Sequence, residues 1–391
     1  MSENSNGSKV SPDPNNCKTV GGGSIPLIRV VEHAAKLAQA DGQRVFVVGG
    51  MVRDIFSHGR IGDADLDLVV EGEGIPFAHT LSGAIGGCVK EHPTFYTAKV
   101  LPPFCTDTSI GKEDPQSSVA APLSEVDVAS ARTEQYVRPG ALPEVALTSI
   151  ERDLFRRDFS INAIAIAVSD FLLFCHNSIS LSQLQERVVD PCHGLADLRD
   201  KTLRILHPRS FIDDPTRLFR CVRYGVRLGL LVDAGTTEAR LDAVRGGALH
   251  AISTKRIWNE LVACASESLG TQMLRVCGEW GLFDRAPFLG AHFLGECGSV
   301  VERLHSRNEV ELQQTEVVET LLAATILRCS SREIGEEKLG QESPIHSLQL
   351  PRTIQRKAGA LAKEGNTGKG SELFESTDLF GTLRWIVTGV S

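Results

Sequence analysis

The sequence predicts an α+β protein in two parts, a first in which strands and helices alternate and a second that is all-helical. Short β-branched runs at 45 to 48 and 66 to 70 are interleaved with segments of helical spacing, whereas after Ile150 the helical period dominates almost to the end. The 391 residues, 42% hydrophobic and 23% charged, supply core enough for about two to three domains.

Residues 1 to 25 are rich in Ser, Asn, Gly and Pro and nearly devoid of bulky apolar groups, so they are read as a disordered tail. From 27 to 40, Leu27, Val31, Ala34, Ala35 and Ala38 recur at helical spacing. A strand at 45 to 48 follows and ends at Gly49. Residues 51 to 56 open a helix with Arg53 on its first turn, and 66 to 70 reads as a strand with Asp65 at its edge. Further strands are expected at 95 to 101 and 125 to 129. Between these, residues 102 to 123 carry prolines, serines and Gly111, which suits a long hairpin insertion of no legible role. Later helices are expected at 214 to 228, 236 to 248, 253 to 267 and 311 to 327. Interruptions fall at 171 to 175 and 190 to 194, with a weak Gly-, Glu- and Ser-rich spot near 331 to 345.

No apolar stretch approaches the roughly 20 residues that span a bilayer, and the first 25 lack an apolar core or an arginine bias. A soluble, cytoplasmic protein with no membrane partner is therefore expected. Ten scattered cysteines without a C-x-x-C pair are read mostly as reduced core residues, not as a zinc site. The net charge of −8 excludes nonspecific nucleic-acid binding by the whole surface. Between Arg199 and Arg227, however, eight basic residues stand against three acidic ones.

Four groups of residues carry chemistry. Gly49 and Gly50 sit between a strand and a helix, where backbone amides and the helix N-terminus approach phosphate oxygens and Arg53 adds a full positive charge. Alone, such a pair is more often an ordinary turn. Asp65 and Asp67, one residue apart on a strand, point the same way and can share divalent cations; alone they are equally a solvated acidic edge, to which Asp63 adds a third carboxylate. Asp127, at the end of a neighbouring strand, turns the pair into a trio suited to two-metal transfer.

The third group is Arg157, Asp158 and Asn162, next to Arg156. They offer donors and acceptors to a ribose and a phosphate together, or else cap the ends of two adjoining segments. In the fourth, Asp214, Arg217, Arg220 and Arg223 repeat every three residues on a helix begun near Pro215. A merely solvated face would mix Lys, Glu and Gln, whereas this one uses Arg alone. Asp214 beside Arg217 places an acceptor next to a donor, matching the Watson–Crick edge of cytosine or adenine and refusing guanine and uracil. His193 reads as part of a turn and Trp258 as a core-facing aromatic.

GGMVRD, DADLDLVVEG, VDVASAR, RRDFSINAIA, DPCHGLADLRDKTLR and DDPTRLFRCVRYGVRLG, in this order and spacing, resemble the class II tRNA nucleotidyltransferases and bacterial poly(A) polymerases over roughly residues 27 to 267. The resemblance implies a polymerase-β-like nucleotidyltransferase head of mixed sheet and helices, followed by an all-helical neck, body and tail. The domains it implies are a tail at 1 to 25, the catalytic head at 26 to 180, a neck and body at 181 to 268 that binds base and RNA, and a divergent helical tail at 269 to 391.

The family's roles pass to matching residues. Asp65, Asp67 and Asp127 would hold two Mg²⁺ ions, and Gly49, Gly50 and Arg53 the triphosphate. Arg157, Asp158 and Asn162 would meet the sugar, Asp214 and Arg217 the base, and Arg220 and Arg223 the nucleotide nearby. The partners implied are ATP and CTP and the 3′ end of tRNA or another RNA. The expected function is template-independent addition of C and/or A; the alternatives are a poly(A) polymerase, a CC-only or A-only enzyme and, remotely, a catalytically silent RNA-binding protein. Two departures stand out. The base-reading motif usually begins Glu-Asp and here begins Asp213-Asp214, and the usual DPFGG is here DPCHG.

Overall fold

A computed structural model describes residues 24 to 62, 65 to 102 and 122 to 282. Asp63, the tail before residue 24, most of the 102 to 123 insertion, the weak spot near 331 to 345 and the helix expected at 311 to 327 lie outside the described residues, as does the rest of the expected tail beyond 282. The chain divides into two compact units. One comprises Met1–Gln135 with Pro143–Leu206, the other Tyr136–Leu142 with His207–Ser391.

The first unit runs β1 (Ile25–Pro26), α1 (Leu27–Ala40), β2 (Val45–Val48), α2 (Gly50–His58), β3 (Leu66–Val70), α3 (Gly74–Ile85), β4 (Cys88–His92), β5 (Thr97–Leu101), β6 (Pro122–Leu123), β7 (Val126–Ser130), β8 (Arg132–Gln135), β9 (Glu144–Leu147), α4 (Ile150–Phe155), β10 (Ala165–Ala167), α5 (Val168–Cys175), α6 (Leu181–Gln185), α7 (Gly194–Arg199) and β11 (Thr202–Leu203). A six-stranded mixed sheet of order β10-β2-β3-β7-β5-β4 forms its centre, with β3–β7 as its parallel pair. Strand β2 is buried along its whole length, as a β-branched run covered on both faces must be. Its neighbour β3 buries Leu66, Leu68, Val69 and Val70 and leaves Asp67 half-buried among them. Helix α1 buries Leu27, Val31, Ala34 and Ala38 of the expected stripe, with Val30 in addition and Ala35 only half-buried, and packs on α3 and α5.

Three local expectations are corrected. Residues 171 to 175 do not interrupt the helical pattern but complete α5, whose Val168, Phe171 and Cys175 recur at helical spacing on the buried side. The strand expected from 95 begins at Thr97, because Pro93–Phe95 forms a 3-10 turn. Strands β4, β8 and β9 were not foreseen. Their exposed or half-buried positions lack the apolar alternation that marks a strand with one covered face.

The first unit also runs past the boundary expected at 180, to Leu206. Val189 exchanges both backbone bonds with Ala165 (2.9 and 3.0 Å), and Ser160 N–H donates to the Arg204 carbonyl at 3.0 Å, so the segment to 206 is stitched into the first unit. Five of the described cysteines are buried thiols outside any disulfide, as expected; Cys88 is disulfide-bonded.

The second unit contains α8 (Ser210–Asp213), α9 (Arg217–Leu228), a short extended segment β12 (Leu231–Val232), α10 (Ala234–Arg245), α11 (Thr254–Ala265) and α12 (Gly270–Glu279). Helix α9 begins three residues later than expected, because Asp214 is extended (φ −134°) and Pro215 lies in the turn after α8. Asp233 and Ser253 cap α10 and α11 through the N–H groups of Thr236 and Arg256. The core joins Leu218, Phe219 and Val222 with Ile257, Trp258, Leu261, Met273 and Leu274, confirming Trp258 as a core residue.

Candidate active site

The carboxylates are positioned by strand register. Asp67 of β3 and Asp127 of β7 are direct partners in the parallel pair, so their side chains rise from the same face of the sheet at the same level. Asp65 lies exposed just before β3. Across the sheet Asp127 also pairs in register with Lys99 of β5, and Lys99 Nζ stands 3.4 Å from Asp127 Oδ2 and 2.5 Å from Glu125 Oε1.

The glycine turn closes over this row. Gly49 has φ 75° and precedes α2, and a Cβ there would meet Asp67 Oδ2 at 2.7 Å. Glycine is therefore needed twice, for the backbone conformation and for the approach of the carboxylate. Gly50 opens α2, whose first-turn N–H groups lack helical partners of their own. Arg53 is buried rather than projecting freely. Its guanidinium bonds Asp54 Oδ1 (2.7 Å) and Asn162 Oδ1 (3.0 Å), and Asn162 Nδ2 donates to Asp158 Oδ1 at 3.1 Å. The triphosphate candidate and two of the sugar candidates thus form one buried chain. Arg157 is held by the fully buried Asp153 (3.1 Å) and bears electrostatically on Asp67, whereas Arg156 pairs with Asp153 and Glu134.

Crowded negative charge is the electrostatic mark of this site. Burial first, then the Asp127 charge, push the Asp67 carboxyl up to about 6, against the pull of Arg157 and Lys99. Burial also raises Asp127, despite Lys99 beside it. Such repulsion is what a bound cation relieves, and three carboxylates are the all-oxygen donor set that a hard divalent ion takes. The residues therefore fit a divalent metal by donor chemistry and, for Asp67 and Asp127, by register. Among the described residues, no three acidic, His or Cys side chains are yet drawn together as a metal-binding group.

In the second unit, Asp214 Oδ1 accepts from Thr216 N (3.2 Å), Thr216 Oγ1 (2.8 Å) and Arg256 (2.8 Å); no described bond uses Oδ2. Arg256 also donates to the Gly140 carbonyl at 3.1 Å. Arg217 is buried and donates to Ser210 Oγ at 2.7 Å. Arg220 reaches the Tyr224 hydroxyl (2.9 Å), while Arg223 and Arg227 converge on Glu267 Oε1 at 3.1 and 3.0 Å. The arginine helix is thus a set of partnered guanidiniums rather than a solvated face.

Residues 45–204 match the Poly A polymerase head domain family. That match spans the glycine turn, all three carboxylates and Arg157, Asp158 and Asn162. Over these residues the chain is similar to that family, in line with the resemblance its motifs carry.

The chain is 36% identical over 242 residues to an A-adding tRNA nucleotidyltransferase of Geobacter sulfurreducens (62% of this chain, 24% of that protein). It is 38% identical over 244 residues to one of Halalkalibacterium halodurans (62% of this chain, 49% of that protein). It thus spans about a quarter to a half of these relatives' lengths. A crystal structure of a tRNA nucleotidyltransferase complexed with a primer tRNA and an incoming ATP analog superimposes with TM-score 0.59 at 24% identity, covering 90% of each chain. The fold is accordingly the polymerase-β-like head with following helices. Divalent metal ions are general to this nucleotidyltransferase family.

Around the head's motifs, sequence reading missed the residues that hold the others. Asp153 was signalled by its three- and four-residue spacing from Arg156 and Arg157. Lys99, Arg256, Ser210 and Glu267 carry no such signal, because each reaches its partner through tertiary packing or strand register.

Proposed function

We propose that the protein is a template-independent RNA nucleotidyltransferase that adds C and/or A residues from CTP and ATP to the 3′ end of tRNA, using magnesium held by Asp65, Asp67 and Asp127. The observation that carries this reading is the level pairing of Asp67 with Asp127 beneath the Gly49 turn. When bound, magnesium would supply charge neutralisation at the phosphates and a more acidic attacking hydroxyl.

The chain's own residues do the rest. The first-turn N–H groups after Gly49 and Gly50 cradle the triphosphate, and Arg53 adds positive charge behind them. Arg157, with Asp158 and Asn162, meets the sugar. Asp214 offers Oδ2 and Arg217 its guanidinium to the base, with Arg220 and Arg223 close by. The RNA 3′ oxygen forms a bond to the α-phosphorus as the bond to the β-phosphate oxygen breaks, and pyrophosphate leaves.

Both relatives described above are A-adding by name, which favours ATP over CTP. The test is to incubate the protein and magnesium with tRNAs lacking one, two or three terminal nucleotides, supply CTP and ATP separately, and sequence the products. A single added A supports the A-adding reading. Added CC, CCA or a long A tract would each name a different member of the family. Failure to extend any RNA would contradict the proposal and leave a silent RNA-binding protein.

A further inference from the structure

We propose that Lys99 is a positioning residue of the carboxylate site, a tethered counter-cation that holds Asp127 until a divalent ion displaces it. This rests on the proposed reading of Asp127 as a metal ligand. Asp67, Asp127 and Lys99 are register partners on three adjacent strands and form one row across the sheet face. The row continues into β4, where Lys90 is the partner of Lys99. Within it, the Lys99 ammonium lies 3.4 Å from Asp127 Oδ2 and 2.5 Å from Glu125 Oε1, so two carboxylates hold it.

The side chain of Lys99 is 35% exposed, which leaves it solvent to move into. An ammonium and a divalent ion cannot both take the same carboxylate oxygen at full strength. Cation binding at Asp127 therefore works against the Lys99 pair, and Glu125 gives the displaced ammonium a place to rest. Without a cation, the same pair keeps Asp127 from being repelled by Asp67 and Glu125. The row stays ordered, at a cost in cation affinity.

The test is a direct titration of Mn²⁺ into the full chain without nucleotide, reading free Mn²⁺ by its paramagnetic resonance. Wild type is compared with Lys99→Met, Lys99→Gln, Lys99→Arg and Asp127→Asn, and each is also melted in EDTA. Lys99→Met and Lys99→Gln should bind Mn²⁺ roughly five- to tenfold more tightly, the scale of one partly screened charge at contact distance. Both should melt below wild type in EDTA, whereas Lys99→Arg should stay near wild type in both measurements. If Asp127→Asn weakens Mn²⁺ binding while the Lys99 variants leave it unchanged or weaken it, the role given to Lys99 is wrong and the metal site stands. If Asp127→Asn binds like wild type, Asp127 is not a ligand and both readings fall.

Discussion

At the scale of single residues, Gly49 and Asp67 are fitted to one another, the missing Cβ of the first leaving room for the carboxylate of the second. Gly49→Ala combines a positive φ with a Cβ 2.7 Å from Asp67 Oδ2. It should cost about 1–3 kcal/mol in urea unfolding and displace the carboxylate, so incorporation falls with stability. Asp67→Asn should separate the two. The folded carboxyl titrates at about 6, above its ordinary value, so its ionised form is destabilising at neutral pH. The amide should therefore melt higher in EDTA at pH 8 while nucleotide incorporation drops on the order of a thousandfold.

Asp153 shows the opposite sign. Burial alone would raise its carboxyl, but Arg157, Arg156 and the Arg132 N–H outweigh burial and hold it below the ordinary range. Its stabilisation is complete above the unfolded carboxyl's value near 4 and is lost as pH falls through the lower folded value. Urea midpoints should show Asp153→Asn less stable by about 3 kcal/mol at pH 7, with the gap narrowing below pH 4. Sequence made Gly49, Asp67, Arg157 and Asn162 legible as chemistry. It could not show that Arg53 is buried against Asn162, because a link across 109 positions has no local signature.

At the scale of elements, the site is a consequence of pairing. β-branched runs and period-two alternation made β2, β3 and β7 legible, although of the D-x-D pair only Asp67 takes a place in the strand and Asp65 falls just before it. That β7 lies beside β3, parallel and in register, is a topological fact which no single strand announces. The edge strands β4, β8 and β9 were illegible for want of a buried face. In the second unit, α11 holds the turn that carries Asp214 through Arg256, whose bonds to Asp214 and the Gly140 carbonyl fix the Asp214 carboxylate. If Asp214 selects the base, Arg256→Met should raise KM for the nucleotide roughly tenfold or more and blur the discrimination of ATP from CTP. Competition assays with both nucleotides measure this; unchanged selectivity would remove Arg256 from the recognition apparatus.

At the scale of the whole molecule, the basic excess from Arg199 to Arg227 is smaller in the fold than in the sequence. Arg199 pairs with Asp200, Arg204 with Asp197, Arg209 with Asp213, and Arg223 and Arg227 share Glu267. Two of those acids, Asp197 and Glu267, lie outside the counted segment, which is why composition overstated the patch. With net charge −8 and most of these guanidiniums paired, RNA affinity should depend only weakly on salt. A log–log slope of about −2 is expected, corresponding to roughly three phosphate contacts on a single strand. Filter binding between 50 and 200 mM salt measures it.

The central claim is that the Asp67–Asp127 row is the reaction centre of an RNA-extending nucleotidyltransferase. It is tested most directly by incubating wild type and Asp67→Asn with ATP, magnesium and tRNA lacking its terminal A, and sequencing the RNA ends. The account predicts one added A with wild type and none with the variant. Equal extension by both proteins, or by neither, would contradict it.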